Sequence, residues 1–445
     1  MLPGAPTMHC PPRMSANEHP VSRFSGRRRL LDQLTLLGVR AGGTTAKFFL
    51  AIYTARYLGL ADLGIYGLLV GATTIVPAVL GLGMTDWIVR KIVDLPRAEA
   101  LPMIASRLGL TLSIHLVVQP LLLAADVLLG EPIPLRIAML GGGILLLENL
   151  GAQAADLLIA RRRVFLAYWL TFLRMGFWPI PVMAIGLLYP ETRTLEFILL
   201  GWLAMLAVSG LILLGLLVPE GRWRHMRPRR DFLFQELHGS LTLYIKDVSS
   251  TISMFLDRFL ISLFPGLELT GVYTLFWSIA NVMHSLAVYG VGKAELPLLI
   301  ASGQNANAAE FRAVERRLQI EVGSWALLMT LVMAVATPLL VPFLGQPLVR
   351  ENLPIFWIVL AATLFRVAAD GYGFVLFALN RDRAIATIAV AGALASAGMN
   401  VVLTPLAGLW GAAMAYAITS GGLFVARYFL SRTRSFSIRA CTVKG

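Results

Sequence analysis

Charged residues are scarce in this 445-residue chain: Asp, Glu, Lys and Arg make up 14% of it, whereas 57% of the residues are hydrophobic. Soluble domains carry about 25% charged residues, which cover the surface of the folded core. A soluble protein of this length would need two or three cores, each with a charged exterior. The composition therefore excludes a soluble enzyme and a disordered chain, and it predicts a polytopic membrane protein.

Cysteine and the common catalytic motifs are nearly absent as well. The two cysteines, Cys10 and Cys441, lie near the termini, so neither a disulfide framework nor a cysteine metal site is expected to organise the fold. No GxxxxGK[ST] sequence is present, and the six histidines never have the HExxH spacing of a metal site. We therefore expect no catalytic centre, no metal and no cofactor.

Long apolar stretches dominate the sequence instead. A helix needs about 20 mostly apolar residues to cross about 30 Å of hydrocarbon. Twelve stretches meet this requirement, and they lie at 35–57, 64–89, 103–125, 137–159, 164–188, 196–218, 237–263, 271–296, 318–344, 352–379, 384–404 and 408–429. Their residues do not alternate between apolar and polar, so they predict helices rather than the strands of a barrel.

Lys and Arg are distributed unequally between the two sides of the predicted membrane. Of the 38 basic residues, 27 lie on the side that carries both termini, four lie on the opposite side and seven lie within spans. This positive-inside pattern predicts that both termini are cytoplasmic. It also accounts for the net charge of +13 without a nucleic-acid partner, because the basic loops face the anionic inner leaflet.

The predicted loops on the opposite side are short, and the longest covers only 126–136. None has room for a folded domain, which disfavours a membrane glycosyltransferase or polysaccharide polymerase. The sequence thus favours a carrier over a catalyst.

A weak internal repeat relates the two halves of the chain. After a shift of 207 residues, six of the 25 residues in 59–83 match those in 266–290, including Gly59 with Gly266 and Tyr66 with Tyr273. Both copies begin at the hairpin between the first two spans of a six-span half. Two halves with the same orientation are typical of transporters that hold a substrate between parallel repeats.

The same region carries a recognisable motif. The segment 55–66, ARYLGLADLGIY, resembles the ARYLGPxDyGlY signature of O-antigen and polysaccharide lipid flippases. Asp257-Arg258-Phe259-Leu260-Ile261, followed by Thr270-Gly271-Val272-Tyr273, resembles the matching segment of their second half. These flippases belong to the polysaccharide transport family of the multidrug/oligosaccharidyl-lipid/polysaccharide exporter superfamily. The resemblance covers the chain from about residue 35.

The resemblance implies an all-α membrane protein in which twelve transmembrane helices form two pseudo-symmetric six-helix lobes around a central cleft. The expected divisions are a disordered basic cytoplasmic tail (1–34), an N-terminal lobe (35–218), a basic linker (219–236), a C-terminal lobe (237–430) and a cytoplasmic tail (431–445). It also implies a multi-pass protein of the bacterial inner membrane that flips an undecaprenyl-pyrophosphate-linked oligosaccharide.

Charges within spans are costly, at about 2.5–3.5 kcal/mol each on insertion scales, and are therefore candidates for function. A pyrophosphate crossing the membrane needs cationic partners that replace its hydration. The candidate cations are Arg40, Lys47, Lys246, Lys293 and Arg366. Helical spacing places polar residues on the same faces, and these candidates for the cleft lining are Thr44, Ser250, Ser253, Asn281 and Ser285.

Asp257 and Glu295 are the candidate carboxylates for coupling to a proton or sodium ion. Each candidate also has a structural alternative. Arg366 and Asp370 are four residues apart and could pair with each other, and Lys246 could pair with Asp257. Arg258 lies near the outer end of its span, where it is expected to extend to the membrane surface. Two prolines, Pro179 and Pro181, are expected to break the fifth span.

The sequence thus predicts an ion-coupled, alternating-access flippase for lipid-linked glycans. Its expected partners are the glycan lipid, membrane lipids, a polysaccharide polymerase and glycosyltransferases. Three alternatives stay open: a multidrug exporter of the same superfamily, a membrane enzyme of polysaccharide assembly, and a scaffold without transport activity. The cation-rich cleft disfavours the multidrug exporter, because organic cations favour acidic and aromatic linings.

Overall fold

A computed structural model describes residues 26–81, 88–89, 92–93, 95–128, 134–161, 163–217, 230–304 and 308–432. Throughout these ranges the regular structure is helical, because a helix satisfies the polar groups of its own backbone in a medium without water. The helices are α1 Gly26–Tyr57, α2 Leu60–Leu80, α3 Arg97–Leu128, α4 Leu135–Ala160, α5 Val164–Leu188, α6 Leu195–Leu217, α7 Arg230–Leu263, α8 267–304, α9 Ala308–Leu344, α10 Leu353–Ala378, α11 382–407 and α12 409–432.

These twelve helices correspond one to one to the twelve predicted spans. In the described part of the chain, nine helical segments are long and apolar enough to cross a membrane, with 382–432 counted as one. That segment folds back at Gly408, whose φ is +57°, so that α11 and α12 pack side by side. The expectation of an all-α polytopic membrane protein is confirmed.

Several boundaries differ from those predicted, and three helix starts differ most. Helix α1 begins at Gly26, inside the stretch that was expected to be a disordered tail, and residues 1–25 lie outside the described ranges. Helix α7 begins at Arg230, inside the expected linker, of which 219–229 lie outside the described ranges. Helix α9 begins at Ala308, ten residues before its predicted span. Its first residues are polar, so a search for long apolar stretches does not include them.

The fifth span contains a π-helical turn where a proline break was predicted. Residues Leu173–Phe177 form this turn, and the α-helix resumes at Pro179. The wider turn accommodates the missing proline N–H groups without ending the helix, and such turns often occur at functional sites. Helix α8 contains a second π-helical stretch at Leu286–Gly292.

The internal repeat is visible in the backbone. Gly59 and Gly266 precede α2 and α8 with nearly equal dihedral angles, φ/ψ of 109°/174° and 103°/176°. This conformation is essentially confined to glycine. The N–H of Gly59 donates to Thr54 O and that of Gly266 to Ile261 O, each at 3.0 Å, and the acceptors are also 207 residues apart. The two halves, here called the N-lobe (α1–α6) and the C-lobe (α7–α12), therefore share this turn.

The lobes meet where α2 crosses α8, and the contact is reciprocal. A Cβ atom at Gly64 would overlap the carbonyl oxygen of Leu267, and one at Gly271 would overlap that of Leu60. Each pair is the other shifted by 207 residues, as in an isologous two-fold interface. Only glycine allows the two backbones to approach so closely.

Gly271→Ala should therefore weaken the contact between the lobes. Because a methyl group there meets backbone rather than a flexible side chain, we expect a loss of about 1–3 kcal/mol in the free energy of unfolding. Thermal unfolding of the detergent-solubilised protein measures this change. Gly210→Ala on α6 is the control, because a Cβ there meets no atom within 4 Å. Equal unfolding temperatures for both variants would contradict the interpretation.

Candidate functional site

A cavity of about 380 Å³ lies between the two lobes. Helices α1, α2 and α5 of the N-lobe and α7 and α8 of the C-lobe form its wall. The polar and charged residues of the wall are Thr44, Lys47, Tyr66, Thr74, Thr171, Arg258, Thr274, Trp277, Ser278, Asn281, His284 and Ser285. Among the described lining residues there is no Asp or Glu. The polar residues of this largely apolar wall are thus basic or neutral.

Lys47 is the cation that the N-lobe contributes to the wall. Its Nζ lies 5.4 Å from the centroid of the Trp202 ring, within the range of a cation–π interaction. It forms no ion pair with any side chain in the described ranges. Arg40 lies two turns earlier on α1, but its side chain is outside the described residues.

A buried ion pair supports the N-lobe side of the cavity. Arg174, in the π-helical turn of α5, pairs with Glu148 of α4. The other carboxylate oxygen of Glu148 accepts a hydrogen bond from Trp202 Nε1 at 3.0 Å, and the Trp202 ring stacks on Trp178 at 5.0 Å. Both oxygens of Glu148 thus have other donors, and Lys47 forms no direct ion pair with this carboxylate.

Arg258 is the cation that the C-lobe contributes, and it is only 1% exposed. Its guanidinium carbon lies 4.0 Å from the centroid of Trp277 and 4.9 Å from that of Phe255. None of the three guanidinium nitrogens has a hydrogen-bond partner in the described structure. The expectation that Arg258 extends to the membrane surface is wrong. Side chains tilt toward the N-terminus of their helix, which directs this one back into the bundle.

The carboxylate beside Arg258 in sequence is held by other groups. Asp257 Oδ1 accepts the backbone N–H of Arg258 at 2.8 Å, and Oδ2 accepts the hydroxyl of Tyr273 at 2.6 Å. Asp257 and Tyr273 are 4% and 0% exposed. Asp257 thus lies behind the cavity wall rather than in it.

His284 connects the cavity to a second group of charges. Its Nε2 lies 2.9 Å from Asp370 Oδ2, and the other oxygen of Asp370 accepts Arg427 Nη1 at 2.6 Å. Asp370 therefore pairs with Arg427 and His284 rather than with Arg366, the partner that the i,i+4 spacing suggested. Arg366 lines a small adjoining cavity of about 10 Å³, together with Thr363 and Tyr416.

The remaining predicted residues fall into three groups. Thr44, Asn281 and Ser285 line the cavity. Ser250 and Ser253 are half-buried on α7 outside the described lining, and Glu295 lies near Arg317 of α9, with 3.4 Å between Oε1 and Nη2. The side chains of Lys246 and Lys293 are outside the described residues, so their contacts, including a pair between Lys246 and Asp257, stay predictions.

Several wall residues were not predicted from the sequence. Trp277, Met254 and His284 do not lie in a group of charged residues that would single them out in the sequence. Trp202, which contacts Lys47 behind the wall, lies on a different helix, so residue spacing does not relate the two. Helical spacing around Asn281 could have identified Trp277 and His284, because they lie four residues before and three residues after it on the same face.

Comparison with known proteins identifies the architecture. No protein-family profile matches the sequence, and no curated protein matches it. Solved structures do match. An inward-facing multidrug resistance MATE family transporter of the MOP superfamily superposes with a TM-score of 0.68 at 14% identity, covering 92% of this chain and 99% of that one.

A MOP superfamily transporter from Pyrococcus furiosus, described as having a binding pocket of reverse polarity, superposes with a TM-score of 0.64 at 14% identity. The match covers 92% of this chain and 96% of that one. An outward-facing multidrug resistance MATE family transporter superposes with a TM-score of 0.60 at 14% identity, again covering 92% of this chain and 96% of that one. This is the fold of the MATE transporters. The cavity therefore lies between the two lobes of a MATE-like fold.

Glu148→Ala should destabilise the N-lobe strongly. Removing one partner of a buried ion pair leaves the other charge without compensation, which costs about 3–5 kcal/mol. We expect a lower unfolding temperature and a smaller monodisperse fraction in detergent. Glu191→Ala, at an exposed position in the turn Pro190–Thr192, is the matched control and should change the stability by less than about 0.5 kcal/mol. Unchanged stability of Glu148→Ala would contradict the role given to the pair.

Proposed function

We propose that this protein is a transporter that moves a polyprenyl-pyrophosphate-linked oligosaccharide from the cytoplasmic to the outer leaflet of the bacterial inner membrane. One observation carries this proposal. The wall of the cavity between the lobes contains a cation from each lobe, Lys47 and Arg258, and no carboxylate among its described residues. The MATE-like fold supports transport, and the charge of the cavity supports an anionic substrate.

The pairing of the buried charges supports the same conclusion. Two buried arginines within the spans, Arg174 and Arg427, pair with carboxylates. Lys47, Arg258 and Arg366 form no ion pair within the described structure, and they lie in cavity walls. Unpaired charges within a membrane are costly, so their placement beside open space favours a ligand of opposite charge. A pyrophosphate, with about two negative charges, would provide it.

The rest of the wall suits the other parts of such a substrate. Ser278, Asn281 and Ser285 lie along one face of α8 and offer hydrogen-bonding groups for sugar hydroxyls. Phe48, Val70 and Met254 add apolar surface, which suits the first isoprene units. A volume of about 380 Å³ is within the range of small-molecule sites, about 300–1,000 Å³. It would hold the pyrophosphate and the first sugar, whereas the long lipid tail would stay in the bilayer.

We further propose alternating access between the two lobes. Inward-facing and outward-facing structures are known for the MATE fold, which supports a movement of this kind. Coupling to a proton or sodium gradient through Asp257 or Glu295 stays a prediction, as do the cytoplasmic termini and the contacts with a polymerase and glycosyltransferases.

Transport of a fluorescent undecaprenyl-pyrophosphate glycan in proteoliposomes tests the proposal. We expect Lys47→Ala and Arg258→Ala to reduce the initial rate at least about tenfold, because charged hydrogen bonds contribute about 1.5–3 kcal/mol each. Lys47→Arg should retain most of the activity, because it keeps the charge. Arg350→Ala, which removes an exposed basic residue from the short helix Pro347–Glu351, is the control for net charge.

The matching measurement uses a cationic dye in the same vesicles. Some structural neighbours are named multidrug transporters, so extrusion of organic cations is the second candidate function. If the wild-type protein extrudes the dye and does not move the glycan lipid, the proposal is wrong and the multidrug activity is favoured.

A further inference from the structure

We propose that Tyr273 is a positioning residue that keeps Asp257 away from Arg258, so that the guanidinium group stays available to an anionic substrate. This inference rests on the proposed function, because it assumes that Arg258 binds the anion. It assigns a role to a tyrosine and a carboxylate that do not line the cavity themselves.

Without another partner, Asp257 would be expected to neutralise Arg258. Asp257 and Arg258 are consecutive on α7, and both are buried. Consecutive helix residues point about 100° apart and do not face each other directly. A long arginine side chain can nevertheless reach back to a neighbouring buried carboxylate that has no other donor, since each charge otherwise lacks compensation. An arginine paired in this way would have little remaining attraction for a substrate phosphate.

The structure shows a different arrangement. The two oxygens of Asp257 accept hydrogen bonds from the Arg258 backbone N–H at 2.8 Å and from the Tyr273 hydroxyl at 2.6 Å. Neither oxygen lies within ion-pair distance of the guanidinium, whose nitrogens have no partner in the described structure. The tyrosine thus supplies the bond that the arginine side chain would otherwise supply.

Packing fixes both groups in these positions. Tyr273 is fully buried on α8, two residues after the Gly271 crossing with α2, so its hydroxyl has little freedom to turn elsewhere. On the other side, the guanidinium lies over Trp277, which itself lines the cavity. An aromatic face holds a cation without consuming its N–H donors. Arg258 therefore keeps its donors for a ligand.

The repeat shows that the hydrogen bond between the tyrosine and a carboxylate is confined to one lobe. Tyr66 occupies the position equivalent to Tyr273, but its hydroxyl has no hydrogen-bond partner in the described structure. The residue equivalent to Asp257 is Leu50, which is fully buried. The tyrosine is shared by the two halves, whereas the bond to a carboxylate belongs to the half that carries Arg258.

Binding of geranyl pyrophosphate to the purified full-length protein tests the inference by calorimetry. Tyr273→Phe should weaken binding about tenfold, because the released oxygen of Asp257 can pair with Arg258. Adding Asp257→Asn to that variant should restore binding to within about twofold, because an uncharged amide does not neutralise the guanidinium. A tyrosine with only a packing role would not give this rescue. Tyr372→Phe, on α10 outside the described cavity wall, should bind as the wild type does.

The outcomes separate the two proposals. If Arg258→Ala binds geranyl pyrophosphate as the wild type does, the proposed anion site is wrong. If Arg258→Ala loses binding but Tyr273→Phe does not, or if Asp257→Asn fails to rescue it, the positioning role is wrong and the anion site stands. Should Tyr273→Phe not purify as a monodisperse protein, Asp257→Asn alone decides: unchanged or tighter binding supports the inference, and weaker binding overturns it.

Discussion

A charge within the hydrocarbon region of a membrane must be compensated by an opposite charge, by hydrogen bonds or by water, and this constraint organises the interior of the protein. Glu148 is compensated by Arg174 and Trp202, and Asp370 by Arg427 and His284. These contacts link α4, α5 and α6 in the N-lobe and α8, α10 and α12 in the C-lobe. Lys47, Arg258 and Arg366, which form no ion pair within the described structure, lie beside cavities, so the distribution of partners marks the site.

The two lobes share a symmetric backbone contact but differ in the side chains around it. The repeated glycine turns and the reciprocal crossing of α2 and α8 give the two lobes one common contact. The side chains around this contact differ: the N-lobe presents a lysine over a tryptophan, and the C-lobe presents an arginine over another. An extended substrate with a charged centre would therefore meet both lobes at once, which suits a transporter whose lobes move relative to each other.

Much of the fold could be predicted from the sequence, because span length and hydropathy depend on local residues alone. The repeat also placed Gly59 and Gly266 at equivalent hairpins, where the structure shows the same glycine turn. The site could be predicted from the sequence less completely. Helical spacing placed Lys47, Asn281 and Ser285 on faces that do line the cavity, but the partner of each charge depends on packing between distant helices. For that reason the pairing of Asp370 with Arg427, 57 residues away, could not be read from an i,i+4 spacing.

The proposed transport is tested most directly by an experimental structure of the protein bound to a polyprenyl-pyrophosphate oligosaccharide in a lipid nanodisc. We expect the phosphates to lie between Lys47 and Arg258, with the sugars along the polar face of α8 and the lipid tail outside the cavity. Phosphates bound elsewhere, with the cavity between the lobes free of substrate, would contradict it.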